Sequence, residues 1–163
     1  MVRYPDFMPV PEAREKFLAV HGFDETDDGK PWNKVRLGKF AFYIPNPPTR
    51  RKAIPLHDLH HVLTGYETHF LGEGEVAAWE LASGGLGPFW TAFPYVFSVL
   101  LVGFVLDPRA IVRAFIRGRG QSNLFVTDFG ARLRGMRLGE LRRQLGIVTG
   151  DDVRSPQSEL VNY

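Results

Sequence analysis

The amino-acid sequence predicts an all-α protein, a single-domain helical bundle with a short extended N-terminal segment. Its 163 residues are 44% hydrophobic and 13% aromatic, which is enough apolar material for one buried core. Several stretches of helical length begin after proline or aspartate and end at glycine. Residues 81–106 carry no charge and no histidine, so the middle of the chain is strongly apolar.

The first half of the chain contains two predicted helices and one extended stretch. One helix is predicted over residues 11–20, within a segment that mixes proline, glycine and acids. Residues 34–44 are predicted as a short strand or as extended chain that leads into the turn-rich PNPPTRRK. The next helix is expected over residues 55–64, because the first turn of a helix does not need the N–H that Pro55 lacks. Gly65 then ends that helix.

A second helix, predicted over residues 73–83, follows after a loop, so the two helices form an αα-hairpin. Glu73 lies in the first turn of this second helix and can point back at the first. Further along, Asp107 is expected to cap a helix that begins with proline. Two more short helices are predicted, over residues 126–133 and 138–145.

Composition and charge exclude several classes of site. The chain has no cysteine, so it has no disulfide, no thiolate metal site and no cysteine nucleophile. Residues 54–106 contain five carboxylates and no lysine or arginine, whereas residues 107–147 carry nine arginines. The acidic segment repels itself unless a bound cation or the arginine-rich half lies beside it. The basic half has no nucleic-acid recognition motif, and the N-terminus has no export or import pattern. We therefore expect a cytoplasmic bacterial protein.

Four of the five histidines fall within thirteen residues of the run HDLHHVLTGYETHFLGEGE. Neutral imidazole and carboxylate are the usual non-thiolate ligands of divalent metals. The spacing is HDxxH, eleven residues and a glutamate, which predicts His57, Asp58, His61 and Glu73 as ligands. Positions i and i+4 share one helix face, so both histidines can reach one ion. A hydrogen-bonded histidine cluster without metal is the alternative.

Other polar residues near the motif are expected to have secondary roles. We expect His60 to support the ligands or contact a substrate, and His69 to lie in the loop without being a ligand. Glu75 could replace Glu73 as a ligand, since it follows two positions later. Zinc, iron, manganese and cobalt suit such ligands about equally. A zinc peptidase is not predicted, because Asp58 stands where the HExxH motif has a longer glutamate.

The string HDLHHVLTGY followed by LGE resembles the signature of the Coq-four family of ubiquinone (coenzyme Q) biosynthesis proteins. That signature is a metal site of the form HDxxH, eleven residues and a glutamate, and it falls on the four motif residues. Weaker similarity continues to the ending LGELRRQLGI. The resemblance divides the chain into an N-terminal segment, residues 1–34, a Coq-four-like helical domain, residues 35–147, and a tail, residues 148–163.

The resemblance implies a role in making ubiquinone or a related prenylated quinone. The implied activity removes the ring carboxylate from a polyprenylated hydroxybenzoate and hydroxylates the same carbon, with a divalent metal as Lewis acid. Beyond the metal ligands, among which Asp58 is a candidate, no catalytic residue is predicted. A second hypothesis is a lipid-binding organiser that presents prenylated intermediates to other quinone-biosynthesis proteins. A metal hydrolase with a similar motif is a third.

The uncharged middle of the chain has three interpretations: a buried central helix, a transmembrane span, or the wall of an apolar groove or tunnel for an isoprenoid tail. The resemblance favours the groove, because the family's substrates carry polyprenyl chains. We therefore expect lipid contacts from Trp79, Phe89, Phe93, Phe97 and Leu101.

Arg109, Arg113 and Arg117 follow one another at a spacing of four residues and form a basic stripe on the helix predicted after Asp107. The stripe is either a solvated face or a site for anionic headgroups or a prenyl phosphate. We expect peripheral association with a membrane surface. The large apolar middle is also compatible with a homodimer.

Overall fold

The computed structural model describes residues 3–23, 32–37, 40–45 and 47–148, and it confirms the prediction of an all-α fold. The α-helices are α1 (Val10–His21), α2 (Pro48–Thr64), α3 (Phe70–Ala82), α4 (Phe93–Leu106), α5 (Pro108–Gly118) and α6 (Leu138–Leu145). Two 3₁₀ helices join them, Gly87–Ala92 and Gly130–Gly135. The strands β1 (Trp32–Leu37) and β2 (Phe40–Pro45) form an antiparallel hairpin in which Trp32 pairs with Pro45. The stretch predicted as strand or extended chain is therefore a hairpin.

The motif helix α2 begins at Pro48, so the predicted start at Pro55 is wrong. Pro48 already supplies the proline that suits a helix start. Pro55 lies inside the helix, where it cannot donate the usual N–H bond to Arg51. The predicted end is confirmed, because Gly65 adopts a left-handed conformation, with φ 79°, and its N–H bonds to the carbonyl of His61.

The N-terminal segment belongs to the main core. Tyr4, Met8 and Phe17 are buried in the same apolar cluster as Leu138 and Leu141 of α6. Backbone hydrogen bonds also join the two ends of the described chain, since Leu138 N–H donates to the Met8 carbonyl at 2.9 Å. The segment before the β-hairpin thus helps to build one hydrophobic core. Residues 149–163 of the predicted tail lie outside the described residues.

Helix α3 is the central helix, with Trp79 completely buried. It packs closely on α4 through two glycines: a Cβ added to Gly74 would lie 3.0 Å from the Cα of Gly103. A Cβ on Gly103 would in turn lie 2.6 Å from Cδ1 of Ile111 in α5. These small residues allow three helix backbones to meet beside the acidic residues of α3.

The uncharged middle of the chain is not one buried helix. It turns at Gly84 and Gly85, whose φ angles are 131° and 77°, before the 3₁₀ helix and α4 begin. All residues of α4 are described, and two of them, Val96 and Gly103, are buried. By length and composition, residues 87–106 could cross a membrane. Their mean hydropathy is 2.0, and 11% of the residues in an 18-residue apolar stretch of this segment are buried. The interpretation as a buried central helix is therefore wrong.

Of three predictions for the C-terminal part of the chain, two are confirmed. Asp107 caps α5 as predicted, because its Oδ1 accepts the N–H groups of Arg109 at 2.9 Å and Ala110 at 3.0 Å. Helix α6 has the predicted bounds. The helix predicted over residues 126–133 is wrong in its first half, since Asn123 organises a turn there by accepting the N–H of Phe125 at 2.8 Å, and its second half lies in the 3₁₀ helix Gly130–Gly135.

Candidate metal centre

Helices α2 and α3 bring two histidines and one glutamate of the motif together. His57 and His61 lie one turn apart on α2, and their Nε2 atoms are 3.2 Å apart. Glu73, in the first turn of α3, places Oε2 3.3 Å from Nε2 of His57 and Oε1 3.5 Å from Nε2 of His61. Three of the four predicted ligands therefore converge on one point.

A second glutamate completes the cluster from the other side of His57. Oε1 of Glu80 lies 2.8 Å from Nδ1 of His57 and 2.7 Å from Nδ1 of His60. By distance alone, two groups could hold a metal ion, and they share one histidine: His57, His61 and Glu73, or His57, His60 and Glu80. The cluster has the ligand types that zinc and other divalent metals use.

Hydrogen-bond partners assign the ring protons of two histidines. Nδ1 of His61 lies 3.0 Å from the carbonyl of Tyr66, which can only accept, so Nδ1 carries a proton and the lone pair of the neutral ring is on Nε2. His60 has the same tautomer for a different reason. The backbone N–H of Leu124 donates to its Nε2 at 3.0 Å, so the His60 proton is on Nδ1 and faces Glu80.

Charge in the cluster is finely balanced. Burial acts to lower the pKa of His57, but Glu80 and Glu73 outweigh it and raise that pKa well above its usual value. Burial alone would raise the pKa of Glu80, yet attraction to His57 and hydrogen bonds from both neighbouring histidines lower it to about 2. The pKa of Glu73 is lowered as well, against the effect of burial, by His57 and His61. Glu80, which is buried, and Glu73, which is 16% exposed, are thus ionised at neutral pH, and the protonated ring of His57 balances one of the two charges.

The structure places Asp58, the fourth predicted ligand, outside both groups. Its Oδ2 accepts from Nη2 of Arg14 at 2.9 Å and from Nε of the same side chain at 3.2 Å. Successive residues of a helix are about 100° apart around its axis, so Asp58 faces α1 while His57 faces α3. Asp58 therefore forms an ion pair with Arg14, which was not predicted from the sequence, and does not face the cluster.

The alternative ligand Glu75 also lies outside both groups, and burial raises its pKa. His69 caps α3, because its Nδ1 accepts the N–H of Gly72 at 3.2 Å. The residue that the sequence analysis missed is Glu80. A signal for it exists, since Glu80 follows Glu73 by seven positions, which is two turns along one helix face.

A cavity of about 600 Å³ adjoins the cluster, which supplies part of its wall. The remaining wall is largely apolar. It includes Phe17 and Leu18 of α1, Ala53 and Ile54 of α2, Ala77 of α3, Leu86, Ala92, Tyr95, Val96 and Val99 of the following stretch, and Phe125. A cavity of this size and lining is typical of a small-molecule site.

None of the five side chains expected to contact lipid lines this cavity. Trp79 is buried in the core, where its Nε1 donates to Gln121 at 2.6 Å. Phe89 packs behind the cavity wall, against the ring of Phe125. Phe93, Phe97 and Leu101 are exposed on the outer face of α4. The cavity side of α4 carries Tyr95, Val96 and Val99 instead. The prediction failed because a spacing of four residues identifies one face of a helix but not whether that face points inward.

The predicted basic stripe divides into two parts. Arg109 and Arg113 are exposed, whereas Nη1 of Arg117 donates to the carbonyl of Thr64 at 2.9 Å. Arg142 of α6 supports the same helix end, donating to the carbonyls of Val62 at 3.0 Å and Leu63 at 3.2 Å. Two arginines therefore cap α2, the helix that carries the histidines, and satisfy carbonyls that a helix end leaves open.

Comparisons of the chain with protein-family models, with curated proteins and with solved structures found no match. The fold and the site still define a class: a single-domain, all-α protein with a histidine–glutamate cluster able to hold a metal ion beside a largely apolar cavity.

Proposed function

We propose that the protein binds a divalent metal through His57, His61 and Glu73 and takes part in the biosynthesis of ubiquinone or a related prenylated quinone. Its ligand would be a polyprenylated hydroxybenzoate, whose ring carboxylate would leave as carbon dioxide and be replaced by hydroxyl. This is a two-electron oxidation that consumes one water and reduces dioxygen to hydrogen peroxide. The observation that carries the proposal is the convergence of two imidazole Nε2 atoms and one carboxylate, all within 3.5 Å, beside an apolar cavity.

The cluster fits a metal for an electrostatic reason. Nε2 of His61 presents a lone pair towards Nε2 of His57 at 3.2 Å, and Glu73 adds negative charge at the same point. Lone pairs and negative charge placed this close repel one another unless a proton or a metal ion lies among them. Zinc, iron, manganese and cobalt all accept two histidines and a carboxylate. When bound, the metal would supply Lewis acidity towards a carboxylate or phenolic oxygen of the ligand.

The residues around the cluster would bind and orient the ligand. The apolar cavity wall favours a prenyl chain, since each buried methylene contributes about 0.8 kcal/mol. The guanidinium of Arg50 lines the same cavity, 5.2 Å above the ring of Tyr95, and adds positive charge that suits an anionic headgroup. A ligand held between the cluster and α4 would have its ring beside Glu73 and its tail along the apolar wall.

The outer surface supports a position on a membrane. Phe97, Leu101 and Val105 expose an apolar face of α4, and Arg109 and Arg113 are exposed nearby on α5. Apolar side chains next to arginines favour the surface of a bilayer that contains anionic lipid. We therefore propose peripheral association with the cytoplasmic side of a membrane, where prenylated intermediates are dissolved. The same exposed face of α4 would also contact other quinone-biosynthesis proteins or a second copy of the chain.

A second candidate, the lipid-binding organiser, is favoured by the state of the acidic residues. Among the described residues that line the cavity, Glu73 and Glu80 are engaged by histidines and Asp58 by Arg14. Each of these three carboxylates already has one oxygen engaged in this way, which weakens it as a general base. A protein of this kind would hold the prenylated intermediate and pass it to another enzyme, with the metal as an anchor for its headgroup.

One experiment separates these candidates. Purified protein is supplied with metal, dioxygen and a prenylated hydroxybenzoate, and released carbon dioxide and the hydroxylated product are measured. Turnover by this protein alone, absent in His61→Ala, supports the decarboxylase. Ligand binding without turnover supports the organiser. A protein that retains neither metal nor prenylated lipid by elemental analysis and mass spectrometry contradicts both.

A further inference from the structure

We infer that Glu80 is a positioning residue, which with His60 holds the ring proton of His57 on Nδ1 and so directs the Nε2 lone pair of His57 to the metal. The inference rests on the proposed metal binding by His57, His61 and Glu73. It also assigns the second group of potential ligands, His57, His60 and Glu80, a supporting role in place of a second metal site.

The direction of the hydrogen bonds starts from a backbone amide. Leu124 N–H can only donate, and it donates to Nε2 of His60 at 3.0 Å. The His60 proton is therefore on Nδ1, from which it reaches Oε1 of Glu80 at 2.7 Å. Nδ1 of His57 lies 2.8 Å from that same carboxylate oxygen, which already accepts the His60 proton and has a second lone pair to accept another. His57 thus donates through Nδ1, and its other nitrogen faces Glu73.

This arrangement does not leave a second ligand set. A histidine binds a metal through an unprotonated nitrogen. His60 has one such nitrogen, Nε2, and the amide of Leu124 already occupies it. The nitrogen that faces Glu80 carries a proton, so a metal placed there would meet N–H instead of a lone pair. His57, His60 and Glu80 are therefore close enough to share a metal ion, but the protons on the two Nδ1 atoms leave no lone pair to bind it.

The support is rigid because it is buried. His60 is 0% exposed and Glu80 is 1% exposed. The ring of His60 is packed between those of Trp79 and Phe125, with centroid distances of 5.3 Å and 4.7 Å. Asn123 holds the backbone of α3 at this point by donating to the carbonyl of Glu80 at 2.9 Å. Hydrogen bonds shielded from water in this way are strengthened and keep their geometry.

Nitrogen NMR of the metal-free protein, labelled at histidine, tests the arrangement without relying on metal binding. We expect the His60 ring to carry a single proton, on Nδ1. A His60 ring protonated on Nε2 would overturn the inference, whether or not the protein binds metal. Because this measurement uses the unaltered chain, it remains decisive even if a variant at Glu80 fails to fold.

Zinc titration tests the consequence for the metal. We expect the unaltered protein to bind one zinc ion, and Glu80→Gln to bind it about 10- to 100-fold more weakly. Glu75→Gln is the matched control, since it removes a carboxylate from the same helix outside both groups, and its zinc affinity should be unchanged. Two zinc ions per chain, or a folded Glu80→Gln with unaltered affinity, would overturn the inference. If the unaltered protein binds no zinc, the proposed function fails, and the NMR result alone decides the role of Glu80.

Discussion

His57 and His61 face each other across one turn of a single helix, with their Nε2 atoms 3.2 Å apart. Each ring is held from behind by a different acceptor: Glu80 behind His57, and the carbonyl of Tyr66 behind His61. This support from two directions aims both side chains at the carboxylate of Glu73.

Replacing His61 by alanine should abolish metal binding, because it removes one of the three converging donors. Elemental analysis of the purified variant should find less than a tenth of the metal in the unaltered protein, in line with the roughly 10-fold or larger losses that follow changes around metal sites. His69→Ala is the matched control. It removes an exposed histidine that caps α3, so stability should fall by about 1 kcal/mol while the metal is retained. Metal loss in both variants would point to a general loss of structure.

Asp58→Asn should destabilise the protein without removing the metal, because Asp58 pairs with Arg14 outside the cluster. Weakening a charge-assisted hydrogen bond of this kind costs about 1–3 kcal/mol, measurable by chemical denaturation. Arg14→Gln should have a similar effect, and the double variant should cost less than the sum of the two. If Asp58→Asn loses its metal while remaining folded, the ligand set predicted from the motif is correct and the ion pair is not its main role.

Stability of the metal-free protein should fall as pH rises above neutrality. The pKa of His57 is raised well above the value of about 6.5 that it has when unfolded. The stabilisation from its protonated ring is therefore complete below about pH 6.5 and is lost as the pH rises through the folded pKa. A bound metal replaces that proton, so the increase in Tm on adding zinc should grow from about pH 6 to about pH 9. A constant increase across this range would contradict the charge balance inferred for the cluster.

Gly103→Ala should loosen the contact between α3, α4 and α5. The added methyl would lie 2.6 Å from Cδ1 of Ile111 and 3.1 Å from the Cα of Gly74, so the buried Ile111 side chain must turn and the backbones of α3 and α4 must separate slightly. We expect a loss of about 1–3 kcal/mol in the free energy of unfolding. Gly135→Ala is the control, because no atom lies within 4 Å of its added Cβ, and it should change stability by less than about 0.5 kcal/mol.

Placing charge on the outer face of α4 should abolish membrane binding. Phe97 and Leu101 are 54% and 56% exposed, so Phe97→Asp with Leu101→Asp should leave the fold intact. Sedimentation with vesicles that contain anionic lipid should then show little bound protein. Phe7→Asp is the control, since Phe7 is exposed near the N-terminus, away from α4. If the double variant instead changes a dimer into a monomer and vesicle binding was never present, the face is an interface between copies.

Local signals in the chain were sufficient for several elements. Helix α6 has the predicted bounds, and Asp107 caps α5 as expected, because cap and helix propensities act over a few neighbouring residues. The same kind of evidence failed at Pro55, where a proline suited to a helix start lies inside a longer helix. It also failed after Asn123, whose side chain stabilises a turn that competes with helix.

The motif by itself determined that histidines and carboxylates would be close, since spacings of four along a helix place side chains on one face. It did not determine which carboxylate meets them. That choice depended on how α1, α2 and α3 pack: Arg14 of one helix takes Asp58, and two turns of another place Glu73 and Glu80 on opposite sides of His57. A sequence specifies which atoms can bind a metal, and only the packing of distant segments decides where their lone pairs and protons point.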